Sequence, residues 1–168
     1  MPLRKLTLAV AMVLCASTAL AADHVAVEQD EDTHLWRDAD GNPTYKIGED
    51  GIPDYHTYIG YKRYTANCMP CHGPDGEGST FAPKLTDSLK GFGYDHFLDV
   101  VSSGQQNVWH PNNSVMPAWG TDLNVMCYVD DIYVYLRARA DGNLGRGEPK
   151  RPPNDKAAKE AAYSCLGF

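Results

Sequence analysis

Apolar residues along this chain fall into runs of three kinds, and each kind predicts a different element. The first is almost unbroken, Leu6 to Leu14, preceded by the basic pair Arg4-Lys5 and followed by small residues ending in Ala19-Leu20-Ala21. That order predicts a secretory signal over residues 1–21, cleaved after Ala21. It is shorter than the ~20 apolar residues a membrane span requires. Leu14 also stands where a small residue should precede a lipidated Cys15, and no other stretch is long and apolar enough to cross a bilayer.

The second kind recurs at helical spacing. Pro53-Asp54 is a stop-and-start signal, after which tyrosines at 55, 58, 61 and 64 lead toward Cys68. Tyr94 to Ser103 predicts a short helix with Phe97, Leu98, Val100 and Val101 apolar, closed by Gly104. A final helix is predicted from Thr121 or Asp122 to Ala140, with Val125, Tyr128, Val129, Ile132 and Leu136 forming one buried stripe. Cys127 and Val134 lie on its opposite side, a back face that something should cover. Asp130 and Asp131 diverge on that helix and read as a solvated face.

The third kind is short and β-prone. Leu35-Trp36-Arg37 and Thr44-Tyr45-Lys46-Ile47 flank an Asp-Gly turn and predict a small hairpin. Asp38, Asp40, Asn42 and Glu49 fall at positions of a calcium loop, but Pro43 occupies the place where the sharp turn needs Gly, so a plain turn is expected. Residues 22–34 are polar, acidic and aperiodic, which predicts disorder. Residues 73–93 and 105–120 read as loops. His24, His34, His56 and His96 are isolated and read as surface or packing residues. The organisation is then a signal (1–21), an acidic N-terminal extension (22–53), one domain (54–142) and a tail (143–168).

Charge sharpens this division. Of 168 residues, 22 are acidic and 15 basic. Without the signal the chain carries −9, of which −7 lies in residues 22–53, −4 in 54–142 and +2 in 143–168. Nucleic acid is excluded as a partner, because phosphate contacts need clustered Lys and Arg. No nucleophilic triad, phosphate-binding glycine loop or paired-carboxylate site is present either.

The chemistry concentrates in Cys68-Met69-Pro70-Cys71-His72. Two thiols three residues apart at a helix end can both reach the vinyl groups of one haem edge, with the adjacent histidine aimed at the iron. In an exported chain this spacing points to one covalent c-type haem held by Cys68 and Cys71, with His72 as a metal ligand. A thioredoxin-like pair would want a βαβ setting, and zinc a second cysteine pair. Met116, on a loop beside Pro117, is the favoured sixth ligand; His110 is its rival, and Met126 reads as helix filler.

Together these residues resemble the class I c-type cytochromes: Gly60 and Tyr64, then CMPCHG, then Phe81-Ala82-Pro83, then VMPAWG, then IYVYLR, in order across 54–142. The resemblance implies a small all-α fold whose first and last helices cross near Gly60 and Tyr135. It also implies that the Pro83 carbonyl accepts a hydrogen bond from the second ring nitrogen of His72. Outside the core, GNPTYKI, NVMCYVDDIYVYLRARADG and a late cysteine are similar to the four-cysteine periplasmic cytochromes associated with methanol metabolism.

Cys127 and Cys165 then need a role. In an oxidising compartment a disulfide is expected, pinning the basic tail onto the uncovered back of the last helix; two unrelated buried thiols are the alternative. With His72 and Met116 both bound, the iron has no open position, so the expected function is electron transfer rather than catalysis. The implied donor is a quinoprotein (PQQ) alcohol or methanol dehydrogenase, and the acceptor another cytochrome or a terminal oxidase. The alternatives are a later-step carrier, a bound dehydrogenase subunit, or a five-coordinate haem enzyme or sensor.

Overall fold

The computed structural model describes residues 24–107 and 114–168. The predicted signal segment 1–21, with Cys15, and the rival ligand His110 lie outside the described residues.

Helix α1 (Tyr55–Asn67) begins where the sequence predicts. Asp54 caps it, its carboxylate accepting the Thr57 N–H at 2.9 Å. A one-turn helix α2 (Met69–His72) follows, with Pro70 in its first turn, where a missing N–H costs nothing. Two more helices, α3 (Leu85–Ser88) and α4 (Tyr94–Ser103), come next; α4 ends at Gly104 with φ 74°.

The predicted final helix is two. Leu123–Met126 forms α5 and Val129–Ala140 forms α6, separated at Tyr128, whose φ of −132° is not helical. Asp122 caps α5. The break puts Asp130 and Asp131 in the first turn of α6, where carboxylates complement the helix dipole, while Arg137 and Arg139 occupy its last turn.

Helices α1 and α6 form the centre of the fold, and they cross at Gly60. A Cβ there would run into the Asp131 carbonyl and come within 2.8 Å of Tyr135 Cβ, so the crossing requires glycine. Tyr61 and Tyr64 pack on Tyr135 with ring centroids 5.7 and 5.5 Å apart. The predicted stripe Val125, Tyr128, Val129, Ile132 and Leu136 is buried. So, too, are Tyr133, Val134, Tyr135 and Ala138, because α3, α4 and a strand of the extension pack around the other sides of α6.

The extension is ordered, contrary to the expectation for residues 24–34. Glu28–Gln29 (β1) pairs antiparallel with Trp36–Arg37 (β2), which pairs with Pro43–Thr44 (β3) in the register Trp36 to Thr44. The hairpin is the predicted one; the acidic segment before it adds a third strand that composition alone does not reveal. Asp38 organises the turn, accepting the Asp40 and Asn42 N–H groups at 2.9 Å each.

Two further expectations are corrected. Asp131 is not solvated and His56 is not isolated: both are buried, with His56 Nδ1 2.6 Å from Asp131 Oδ1 and Nε2 2.8 Å from the Thr33 carbonyl. Nε2 must donate to that carbonyl, so one further proton lies between Nδ1 and the carboxylate. Burial works against a charged ring, but the Asp131 carboxylate and the Thr33 carbonyl outweigh it and raise the His56 pKa to about 9. Burial pushes the Asp131 carboxyl up as well, so the two groups titrate as a unit. His34 likewise meets Asp155, the cap of helix α7 (Lys156–Leu166), at 2.9 Å.

Cys127 and Cys165 form a disulfide with Cα atoms 5.7 Å apart. It fastens α7 to α5 and supplies the cover that the back face lacked. Extension and tail thus meet behind the helix pair. A cavity of about 200 Å³ remains there, bounded by Leu35, His56, Asp131, Ala158 and the disulfide.

Candidate functional site

The end of α1 runs straight into the Cys-x-x-Cys-His segment: the Cys68 N–H bonds the Tyr64 carbonyl at 2.8 Å and the His72 N–H bonds the Cys68 carbonyl at 2.9 Å. This winding places Cys68 and Cys71 one turn apart, with His72 directly after Cys71. Cys68 is largely buried and Cys71 exposed, and neither is in a disulfide. Burial pushes the Cys68 thiol up to about 12, with the neighbouring Cys71 adding to the shift. Thioether formation removes the titration altogether.

His72 is buried, and its Nδ1 lies 3.1 Å from the Pro83 carbonyl. A carbonyl only accepts, so Nδ1 carries the proton and the Nε2 lone pair is available. Burial lowers the pKa of the ring, with the Pro83 bond opposing, so the imidazole is neutral at neutral pH. Among the described residues Nε2 has no hydrogen-bond partner. A neutral, oriented imidazole with one free lone pair is the form a metal binds.

The loop between His72 and Pro83 returns on itself through left-handed turns. Gly73 and Gly78 have φ of 71° and 81°, and a Cβ on Gly78 would sit 2.9 Å from the Lys84 nitrogen. The Gly78 N–H bonds the His72 carbonyl at 2.8 Å, and Ser79 Oγ donates to the Cys71 carbonyl. Tyr64 locks the start of the loop, donating to the Gly73 carbonyl at 2.5 Å and accepting from the Gly76 N–H at 3.0 Å. A short 3₁₀ turn, Pro74–Gly76, follows within the stretch read as plain loop.

Met116 sits in a second element that the sequence reading took as loop. Gln105–Asn107 (β4) pairs antiparallel with Ser114–Met116 (β5), placing Met116 opposite Gln105. Beyond it, the Trp119 and Gly120 N–H groups bond the carbonyls of Val101 and Ser102 at 3.0 Å each, which ties the loop to the end of α4. The Met116 side chain is half-buried and packs against the core; Met126, at the end of α5, does so as well. Phe81 and Val115, next to the Pro83 and Met116 positions in sequence, are 74% and 65% exposed. Large apolar side chains left this open fit the rim of a site that takes a flat apolar group. The residues therefore fit a covalent haem: two unpaired thiols, a histidine with its lone pair free, and an apolar rim.

Sequence reasoning missed Tyr64's hydrogen bonds, Asp75 and Arg139. Asp75 is buried at φ 61°, and Arg139 is buried on α6. Two arginines, Arg137 and Arg139, inside the otherwise uncharged stretch IYVYLRARA were the available signal.

Comparison with known proteins agrees with this geometry. The family model described as cytochrome C oxidase, cbb3-type, subunit III matches residues 58–136, the span from α1 into α6. The chain is 54% identical to Cytochrome c-553I of Paracoccus denitrificans over 133 residues, covering 78% of this chain and 58% of that protein's length. It is 37% identical to Cytochrome c-555 of Methylococcus capsulatus (strain ATCC 33009 / NCIMB 11132 / Bath) over 100 residues, covering 59% of this chain and 75% of the relative. The crystal structure of c-type cytochrome XoxG from Methylobacterium extorquens AM1 superposes with a TM-score of 0.75 at 47% identity, over 84% of this chain and 86% of that one. Sequence, fold and site converge: the chain belongs to the class I c-type cytochromes, a membership that implies a covalently attached c-type haem.

Proposed function

We infer that this protein is a periplasmic single-haem carrier of electrons, exported by the segment 1–21. Cys68 and Cys71 would hold the haem by thioether bonds, and His72 and Met116 would ligate its iron. The observation that carries this reading is His72: buried, neutral, oriented by Pro83, and flanked by two thiols outside any disulfide. A haem bound there supplies one-electron exchange. The chain's own part is to hold the imidazole in one tautomer, and Met116, on its strand, would supply a second ligand to the iron. With both axial positions filled, no substrate binds iron, so the protein is not an enzyme.

The donor is a quinoprotein (PQQ) methanol or alcohol dehydrogenase, and the acceptor a further cytochrome or a terminal oxidase. Similarity of the extension, core and late cysteine to cytochromes associated with methanol metabolism supports this assignment. Among the described residues no helix is long and apolar enough to cross a membrane. The test is rapid mixing of the oxidised holoprotein with a PQQ methanol dehydrogenase and methanol, followed at the haem bands. Fast, saturable reduction is expected. Slow reduction of a spectroscopically normal haem would move the protein to a later step, and ready binding of carbon monoxide by the untreated reduced protein would overturn the six-coordinate reading.

A further inference from the structure

The first half of the loop that joins His72 to Pro83 is gripped at Asp75 and Glu77 by groups from α6 and the tail, and Glu77 in turn reaches Lys84 at the far end of the loop. Asp75, buried and in the left-handed region, accepts the Gly147 N–H on Oδ1 at 2.9 Å and Arg146 Nε on Oδ2 at 3.1 Å. Its backbone carbonyl faces Arg139 Nε at 3.4 Å. The same guanidinium donates from Nη1 to the Leu144 carbonyl at 2.7 Å and from Nη2 to Glu77 Oε1 at 3.2 Å. Glu77 Oε2 in turn lies 2.9 Å from Lys84 Nζ. Lys84 follows Pro83, whose carbonyl holds His72.

These contacts form one path, from the tail turn 144–147 through Arg139 and Asp75 to Glu77, Lys84 and Pro83. A non-glycine residue at φ 61° persists only where its surroundings hold it, and here three contacts do so. Arg137, two residues earlier on the same helix, does not take part. It donates to the Leu89 carbonyl at 2.6 Å and to Asp141 at 2.8 Å.

We propose that Arg139, with Asp75 and Glu77, is a positioning residue for the proximal ligand: it clamps the 73–84 loop so that the Pro83 carbonyl stays on His72 Nδ1, and it makes that bond depend on the C-terminal tail. The proposal rests on His72 being the iron's axial ligand. A carbonyl held on Nδ1–H raises the electron donation of the ring to iron. Releasing the clamp therefore raises the reduction potential. Loss of a buried positive charge alone would lower it, so the sign separates positioning from charge.

The test uses the reduced holoprotein and proton NMR. Solvent exchange of the His72 Nδ1–H is measured in Arg139→Gln, in Glu77→Gln, which breaks the path at an accessible link, and in Arg137→Gln as the matched buried control. Exchange about tenfold faster in the first two, the equivalent of one hydrogen bond, with the control unchanged and the potential of Arg139→Gln raised, is the expected result. Unchanged exchange in Glu77→Gln and Arg139→Gln overturns the clamp, as does equal acceleration in Arg137→Gln. If Arg139→Gln does not fold, Glu77→Gln against the control decides alone. The ring-current shift of the His72 protons in the same spectra reports whether His72 lies on the haem axis. Its absence would remove the site reading, whereas a shifted ring with unchanged exchange would remove only the clamp.

Discussion

The front of the molecule, where α1 crosses α6 and leads into the Cys-x-x-Cys-His segment, and the back, where extension and tail meet, are held by different physics. At the crossing the contacts are apolar and the tolerance is a fraction of an ångström, because Gly60 has no room for a Cβ. At the back the contacts are ionisable or covalent: His56 with Asp131, His34 with Asp155, and Cys127 with Cys165. Steric fit is insensitive to pH and intolerant of added volume; polar and covalent clasps have the opposite sensitivities. The front should therefore fail on added volume, and the back on loss of a partner or a change of solvent conditions.

Four outcomes would break or sharpen that contrast. The largest effect is expected at the crossing: Gly60→Val should destabilise the holoprotein by more than ~4 kcal/mol, beyond ordinary point substitutions, as read by denaturant unfolding. Next, replacing Cys127 and Cys165 together by serine should cost up to ~4 kcal/mol, the chain-entropy value for a separation of 38 residues. The haem spectrum should be unchanged, because the clasp lies behind the helix pair; an altered spectrum would show that the back reaches the site.

Third, His56→Leu should cost ~3 kcal/mol by leaving Asp131 buried without its partner, and it should alter pH dependence. The folded pKa of His56 is raised from 6.5 to about 9, so its contribution is complete below the unfolded value and lost as pH rises through about 9. Unfolding midpoints should fall between pH 7 and 10 more in the parent than in His56→Leu; equal slopes would detach the pair from stability. The smallest effect is at His34, whose side chain is 43% exposed and whose φ is 61°. His34→Gly loses a screened ion pair of ~0.5 kcal/mol and gains backbone relaxation, so differential scanning should find the melting temperature nearly unchanged.

The same contrast explains what could be read in advance. Cys68-x-x-Cys71-His72 stands out in the sequence because its spacing is local: one helical turn separates the two thiols, and His72 follows directly. Asp54 as a cap and the buried stripe from Val125 to Leu136 were legible because helix geometry repeats every few residues. Asp131 was misread for the same reason. Two adjacent carboxylates diverging on a helix suggest a solvated face, and only the folded chain brings His56 to Asp131 from 75 positions away. The third strand at Glu28–Gln29 was missed because two residues carry no periodicity and gain their order from Trp36 and Arg37.

A local motif and short-range periodicity were enough to identify the family, which implies a c-type haem, and to locate α1, α4 and the buried stripe of α5 and α6. Tertiary structure decided where the charges go: which carboxylate is buried, which arginine reaches the His72–Pro83 loop, and that an acidic extension is a folded strand rather than a free arm. The reason is physical. A buried charge persists only when a partner neutralises it, and partners such as Arg146 for Asp75, or His56 for Asp131, are chosen by the path of the backbone rather than by their neighbours in sequence.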